Sequence, residues 1–141
     1  MRSTCDPNEK PLCPRFKLFI FLGNKEGELF CTLCDGSEIK VKLIGRYVRI
    51  LSILECARAK DLNLPTDVQG FRKAKAIAEI HGKDSGKISL PSTITSYVSK
   101  LCKLLETPSA ADPAFPHLIE RVTNRGARLL HPVEIFYLGQ Q

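Results

Sequence analysis

The sequence predicts an α+β fold: an N-terminal antiparallel β-sheet, three helices and a closing β-hairpin. Three observations carry this. Short apolar or alternating runs separated by turns occupy Phe16 to Leu43. Apolar residues then recur at helical spacing in three segments between Gly45 and Glu106. Finally, two short arms flank Thr123-Asn124-Arg125-Gly126, a turn sequence. The 141 residues suffice to enclose one core and are tight for two.

Residues 1–15 hold three prolines and no periodicity, and are expected to form a flexible arm ahead of a domain at 16–131. FKLFIFL, Phe16 to Leu22, is an apolar run of strand length, and GNKEG after it is a turn. A second strand is expected from Glu28 to Leu33. The stretch FCTLCDGS that follows admits two readings, half of a Cys-x-x-Cys zinc site or an ordinary hairpin. A three-residue loop, Cys34-Asp35-Gly36 with Gly36 left-handed, sets Leu33 against Ser37, Cys31 against Ile39 and Leu29 against Val41. Leu29, Cys31, Leu33, Ile39, Val41 and Leu43 then share one face, and Phe30, Thr32, Glu38, Lys40 and Lys42 the other. Because strand side chains alternate, Cys31 and Cys34 point apart in this hairpin and cannot grip one ion. No metal is expected, and Cys31 is a core residue.

GRYVRILSILECARAK, Gly45 to Lys60, has Tyr47, Ile50, Leu51, Leu54 and Ala57 at helical spacing and is the first helix. Pro65 blocks its continuation, and Asp67 can cap a second helix in VQGFRKAKAIAEI, with Phe71, Ala74, Ile77, Ala78 and Ile80 apolar. Arg72, Lys73 and Lys75 near its start are solvated cations or phosphate ligands. HGKDSGKISLP reads as a loop, and Ser92 as the cap of a third helix, TITSYVSKLCKLLE. Its apolar stripe is Ile94, Val98, Leu101 and Leu105. Thr93, Ser96, Ser99, Lys100 and Lys103 lie opposite, with Tyr97 at the edge. TPSAADPAFP is a connector to the final hairpin, whose tip is Arg125 and whose arms carry Arg121 and Arg128. The tail, 132–141, contains Val133, Ile135, Phe136 and Leu138 and is too apolar to float: it pairs with a strand, packs on the domain, or covers a second copy in a homodimer.

The 21 Lys and Arg against 15 Asp and Glu give a net charge of +6, which favours an anionic partner. The excess lies in the body, since residues 37–81 carry nine basic and five acidic side chains while 1–36 balance at five each. No apolar run approaches the ~18 residues of a membrane span, and no apolar leader precedes the six cysteines. A reducing, cytoplasmic location without disulfides is therefore expected. Catalysis is not expected. Gly82-Lys83-Asp84-Ser85-Gly86-Lys87 is one residue short of a phosphate loop between its glycines, and Ile88 stands where Ser or Thr is required. His81, His117 and His131 form no helical ligand pair, and no cofactor is implied.

A third helix showing hydroxyls and lysines outward, followed by an arginine-tipped hairpin, is the order of a winged helix-turn-helix. The residues that carry a closer likeness are Tyr97-Val98-Ser99-Lys100-Leu101-Cys102-Lys103-Leu104-Leu105, on a recognition-helix frame H-I-x-x-L-R-x-x-L, and Ile119 to Arg128, on a wing frame I-x-T-V-R-G-x-G-Y-R. DGSEIKVKL ahead of the first helix matches a d-G-x-x-x-x-L lead-in. In these, residues 16–131 resemble the effector domain of OmpR/PhoB-type response regulators, without a receiver domain. Cys102 stands where that family favours Arg, Thr123-Asn124 where it has Arg-Gly, and Ala127 where it has Tyr.

The resemblance implies a double-stranded DNA-binding regulator of transcription. Its third helix would enter the major groove through Thr93, Ser96, Tyr97, Ser99 and Lys100, and Lys103 would hold the backbone. Arg125 would reach the minor groove, with Arg121 or Arg128 on phosphate. The loop 81–91 is similar in place to one that meets RNA polymerase in that family. The rival reading is a winged-helix module that binds a protein and no DNA, because serines and lysines opposite an apolar stripe also describe any solvent face.

Overall fold

The computed structural model describes residues 15–21, 26–33, 36–85, 89–106 and 117–138. The expected arm through residue 14, with Cys5 and Cys13, lies outside the described residues, as do 22–25, Cys34 and Asp35, 86–88, the connector 107–116 and 139–141. The elements run β1 (Arg15–Ile20), β2 (Glu26–Thr32), β3 (Glu38–Ile44), α1 (Gly45–Lys60), α2 (Ala74–Ser85), α3 (Pro91–Glu106), β4 (Ile119–Val122), β5 (Gly126–Leu129) and β6 (Val133–Tyr137). This is a mixed α+β arrangement: a four-stranded sheet in the order β3-β2-β1-β6, three helices, and a separate two-stranded hairpin, β4-β5.

Alternation sorts the two faces of the sheet. Phe16, Leu18, Ile20, Leu29, Cys31, Ile39, Leu43 and Val133 are buried on the inner face. Cys31 pairs with Ile39 and Leu29 with Val41. Leu33 N–H donates to Ser37 C=O at 2.8 Å, and Gly36 takes φ +91°, as the three-residue loop requires. Burial pushes the Cys31 thiol up to about 11, so it stays protonated at neutral pH and fills space in the core.

Helix α1 is the hub. Val48, Leu51 and Leu54 together with Ile50, Ile53 and Ala57 are buried around much of its circumference, because it touches β2 and β3 as well as α2, α3 and β5. Asp61 ends it, donating its N–H to the carbonyls of Ala57 and Arg58.

The segment after α1 departs from expectation. The apolar period suggested a helix from residue 68 capped by Asp67, but α2 begins at Ala74. Gly70 sits at φ +78°, where a Cβ would lie 3.3 Å from Arg58 Cα, and a left-handed residue cannot continue a helix. Arg72 instead exchanges two backbone hydrogen bonds with Ala127, both 3.0 Å, an isolated antiparallel bridge that ties this segment to β5. At its other end α2 runs to Ser85, so the loop expected at 81–91 is largely helix. His81 lies buried within α2, its Nδ1 3.1 Å from Ser89 Oγ, and Pro91 already belongs to α3. Pro91 opens α3, and Ile94 N–H donates to Leu90 C=O, which places Ser92 inside the first turn and not at the cap.

The tail is built into the sheet. β6 runs parallel to β1, with Phe16 opposite Val133 and Phe19 opposite Phe136. Val133 N–H also donates to Glu55 Oε1 at 3.0 Å, and Arg58 holds the same carboxylate at 2.9 and 2.7 Å. His131, just before β6, stacks on Phe16 at 5.5 Å. Burial, and then the charge of His117, holds its imidazole below the usual histidine value.

Of the described glycines Gly27, Gly36, Gly70 and Gly126, the last has the least room for a side chain. It adopts φ +100°, and a Cβ on it would lie 2.1 Å from the Arg72 carbonyl oxygen. Gly126→Ala is expected to destabilise the protein by at least about 2 kcal/mol, lowering the melting midpoint by roughly 8 °C, as read by circular dichroism. Gly36→Ala, whose Cβ would meet nothing within 4 Å, is expected to cost less.

Candidate nucleic-acid interface

The apolar stripe of α3 does what its spacing demands: Ile94, Val98, Leu101 and Leu105 are buried, with Cys102 beside them. The opposite side is therefore turned outward. Ser96, Lys100 and Lys103 are exposed there, with Thr93 and Ser99 half-buried at the margins. Tyr97 is placed differently from expectation. Its position beside the stripe lets the ring pack edge-on against Tyr47, at 6.5 Å and 84°, under the Arg46 guanidinium at 4.9 Å. It braces α3 against α1.

The hairpin arginines divide by role. Arg128 does not stand free for phosphate: its Nε donates to Glu120 at 2.7 Å, and its Nη1 donates to the carbonyls of Thr66 and Gln69. Its guanidinium also stacks on Phe71 at 4.4 Å. This side chain clamps the segment before α2 onto β5. Arg125, at the tip, donates to the Asp67 carbonyl at 2.9 Å and lies over Phe71 at 5.7 Å, so it leans toward the same segment although it is exposed. Arg121 is exposed and lines the cleft that separates the hairpin from α3.

That cleft, about 680 Å³, is where helix and hairpin come together. Arg72, Lys73, Thr95, Arg121, Thr123 and Asn124 supply its polar wall, and Ile77 and Val98 part of its apolar floor. Among the described residues no acidic side chain lines it, which makes it a surface of one sign. Sequence reasoning weighed Lys73 as a solvated cation or a phosphate ligand and did not select Thr95, Thr123 or Asn124 as contacts. The only local signal was Asn124 ahead of Arg125-Gly126, since asparagine tolerates the φ of +73° it adopts at the turn. Thr95 is also partly committed, donating its hydroxyl to Pro91 C=O at 3.1 Å.

The wall keeps its shape through a buried-edge ion pair. Asp61, at the end of α1, accepts from Arg72 at 2.9 and 3.2 Å and from Gly70 N–H at 2.9 Å. Arg72 in turn carries the backbone bridge to Ala127. A chain of direct contacts thus runs from α1 through Asp61 and Arg72 to the hairpin. The hydrogen bonds from Arg72 and then Gly70 hold the Asp61 carboxyl below its ordinary value.

Among the described residues no group of three or more His, Cys, Asp or Glu side chains gathers to hold a metal ion, and no helix is long and apolar enough to cross a membrane. Comparison of the chain with protein-family models, with curated proteins and with solved structures finds no match.

A carboxylate whose folded pKa is depressed contributes stability that is present above its unfolded value, 3.8, and is lost as pH falls through the lower folded value. Asp61→Asn is expected to cost roughly 2 kcal/mol at neutral pH. The gap between wild-type and variant urea midpoints is expected to shrink steadily once pH drops below 3.8.

Proposed function

We propose that this chain is a winged helix-turn-helix protein of the cytoplasm that binds double-stranded DNA and regulates transcription. The observation that carries this reading is the shared cleft. Thr95 and Val98 of α3 face Arg121, Thr123 and Asn124 of the hairpin across a gap that no acidic side chain lines among the described residues, and Ser96, Lys100 and Lys103 are exposed further round the same helix. A helix offered outward with short hydroxyls and lysines fits a major groove about 12 Å wide, and an exposed arginine beside it suits the neighbouring phosphates. The net charge of +6 adds long-range attraction. The likeness to OmpR/PhoB-type effector domains points the same way. Here Arg121 takes the phosphate-contacting part, Arg125 approaches the duplex from the far side of the hairpin, and Arg128 and Tyr97 act through the fold.

The rival reading, a module that contacts protein, is favoured by one feature. The turn-rich segment 61–69 exposes Leu62, Leu64 and Val68, while the Gln69 side chain, donating to the Leu62 and Leu64 carbonyls, pins it in place.

Fluorescence anisotropy on a mixed-sequence duplex separates the two. About four phosphate contacts predict an affinity loss of roughly a hundredfold between ~50 and ~200 mM salt. Lys100→Ala, Lys103→Ala and Arg121→Ala are each expected to weaken binding and to flatten the salt slope by about one. Arg128→Ala is expected to lower the melting midpoint instead. Absence of any salt-sensitive binding at ~50 mM salt would leave the protein-contact reading in place.

A further inference from the structure

The two edges of the four-stranded sheet are not alike. The β3 edge carries the charged side chains of Glu38, Lys40 and Lys42 along its outer face. Charges of this kind keep an edge from pairing. β6, with the sequence VEIFY, carries one charge, Glu134, and that charge already meets Arg15 at 4.0 Å. Phe136, Tyr137 and Leu138 are 38%, 55% and 41% exposed, which places an apolar, aromatic surface directly on an edge that no other strand covers among the described residues.

The backbone of β6 shows which groups remain to be paired. In a parallel ladder alternate residues bond the neighbouring strand. Leu138 N–H donates to Ile20 C=O, so the even-numbered residues of β6 face β1 and Val133, Ile135 and Tyr137 face away. Val133 N–H is taken by Glu55. Ile135 and Tyr137 are left presenting their N–H and C=O groups along the rim, two residues apart, as one antiparallel partner strand would need.

We infer that this edge is the interface for a second copy of the chain, β6 pairing antiparallel with β6 of the partner about a two-fold axis at Phe136. In that register Ile135 of each copy bonds Tyr137 of the other, and the Val133 N–H stays with Glu55. The two Phe136 side chains then form the close, non-hydrogen-bonded pair at the centre. On the outer face of the sheet Phe136 already stacks on Phe19 at 5.1 Å, and Phe19 meets Phe30 edge-on at 5.2 Å. The symmetric pairing carries this aromatic row unbroken from one protomer to the next and joins the two sheets into one of eight strands. Each Glu134 falls beside the partner's Leu138, away from the other Glu134. The interface lies on the sheet edge and does not depend on what α3 binds.

Sedimentation equilibrium without DNA tests this. The expected result is a species of twice the 15.7 kDa chain mass, with dissociation in the micromolar range. Tyr137→Pro removes only an outward N–H, which an edge strand tolerates; Phe136→Lys sets like charges against each other at the axis. Each variant is expected to weaken association at least about tenfold while the far-ultraviolet circular dichroism of the folded chain stays near wild type. A wild-type chain that remains monomeric at ~100 μM, well above the affinity range of specific interfaces, would overturn the inference. So would a dimer that persists undiminished in folded Phe136→Lys or Tyr137→Pro protein.

Discussion

The two hydrogen bonds between Arg72 and Ala127 are the joint on which the rest of the molecule turns. They fasten a hairpin of only four residues per strand to the helical body. A two-stranded hairpin is marginal alone in water. The Arg72 side chain extends the joint to Asp61 at the end of α1, and Arg128 fastens the hairpin again at Thr66 and Gln69. The side of the hairpin that carries Arg121 is thereby held at a set distance from α3, and the cleft between them is a consequence of this joint.

The arginines of this chain are divided between building and display. Arg58 holds the Glu55 carboxylate that receives Val133, Arg72 holds Asp61, and Arg128 holds Glu120 and two carbonyls. Each is partly buried, and its planar fork serves several acceptors at once. Lys100 of α3 differs from them: it is exposed, a single charge on a flexible stem. A count of basic residues alone overstates what is available to an anion, because three of the arginines are spent within the fold.

Much of the framework was legible from residue order. The register of β2 on β3 followed from Asp35-Gly36 and the alternation around it, and the α3 stripe from a strict helical period. Both are local patterns with one packing solution. The segment 67–73 misled because Phe71 continues the spacing of Ala74 and Ile77, whereas its ring serves as a platform for Arg125 and Arg128, residues more than fifty positions away. Tyr97 misled for a related reason. An aromatic residue beside a helical stripe can face either way, and the position of Tyr47 on a different helix settles it. Thr95 and Thr123 were missed because neither has a local feature that distinguishes a cleft wall from ordinary surface.

Residue order alone thus sufficed for whatever depends on neighbours a few positions apart: the strand faces, the β2–β3 loop with its left-handed glycine, the core stripe of α3 and the basic balance of the chain. These follow from backbone sterics and from burying one face of a periodic segment. Folding in three dimensions selected which cations are tied up and which are presented, where α2 starts, and on which side of the hairpin the α3 cleft opens. It also laid β6 along β1, with no further strand on its far side among the described residues. Such outcomes hinge on contacts between residues far apart in the chain, which no local pattern encodes.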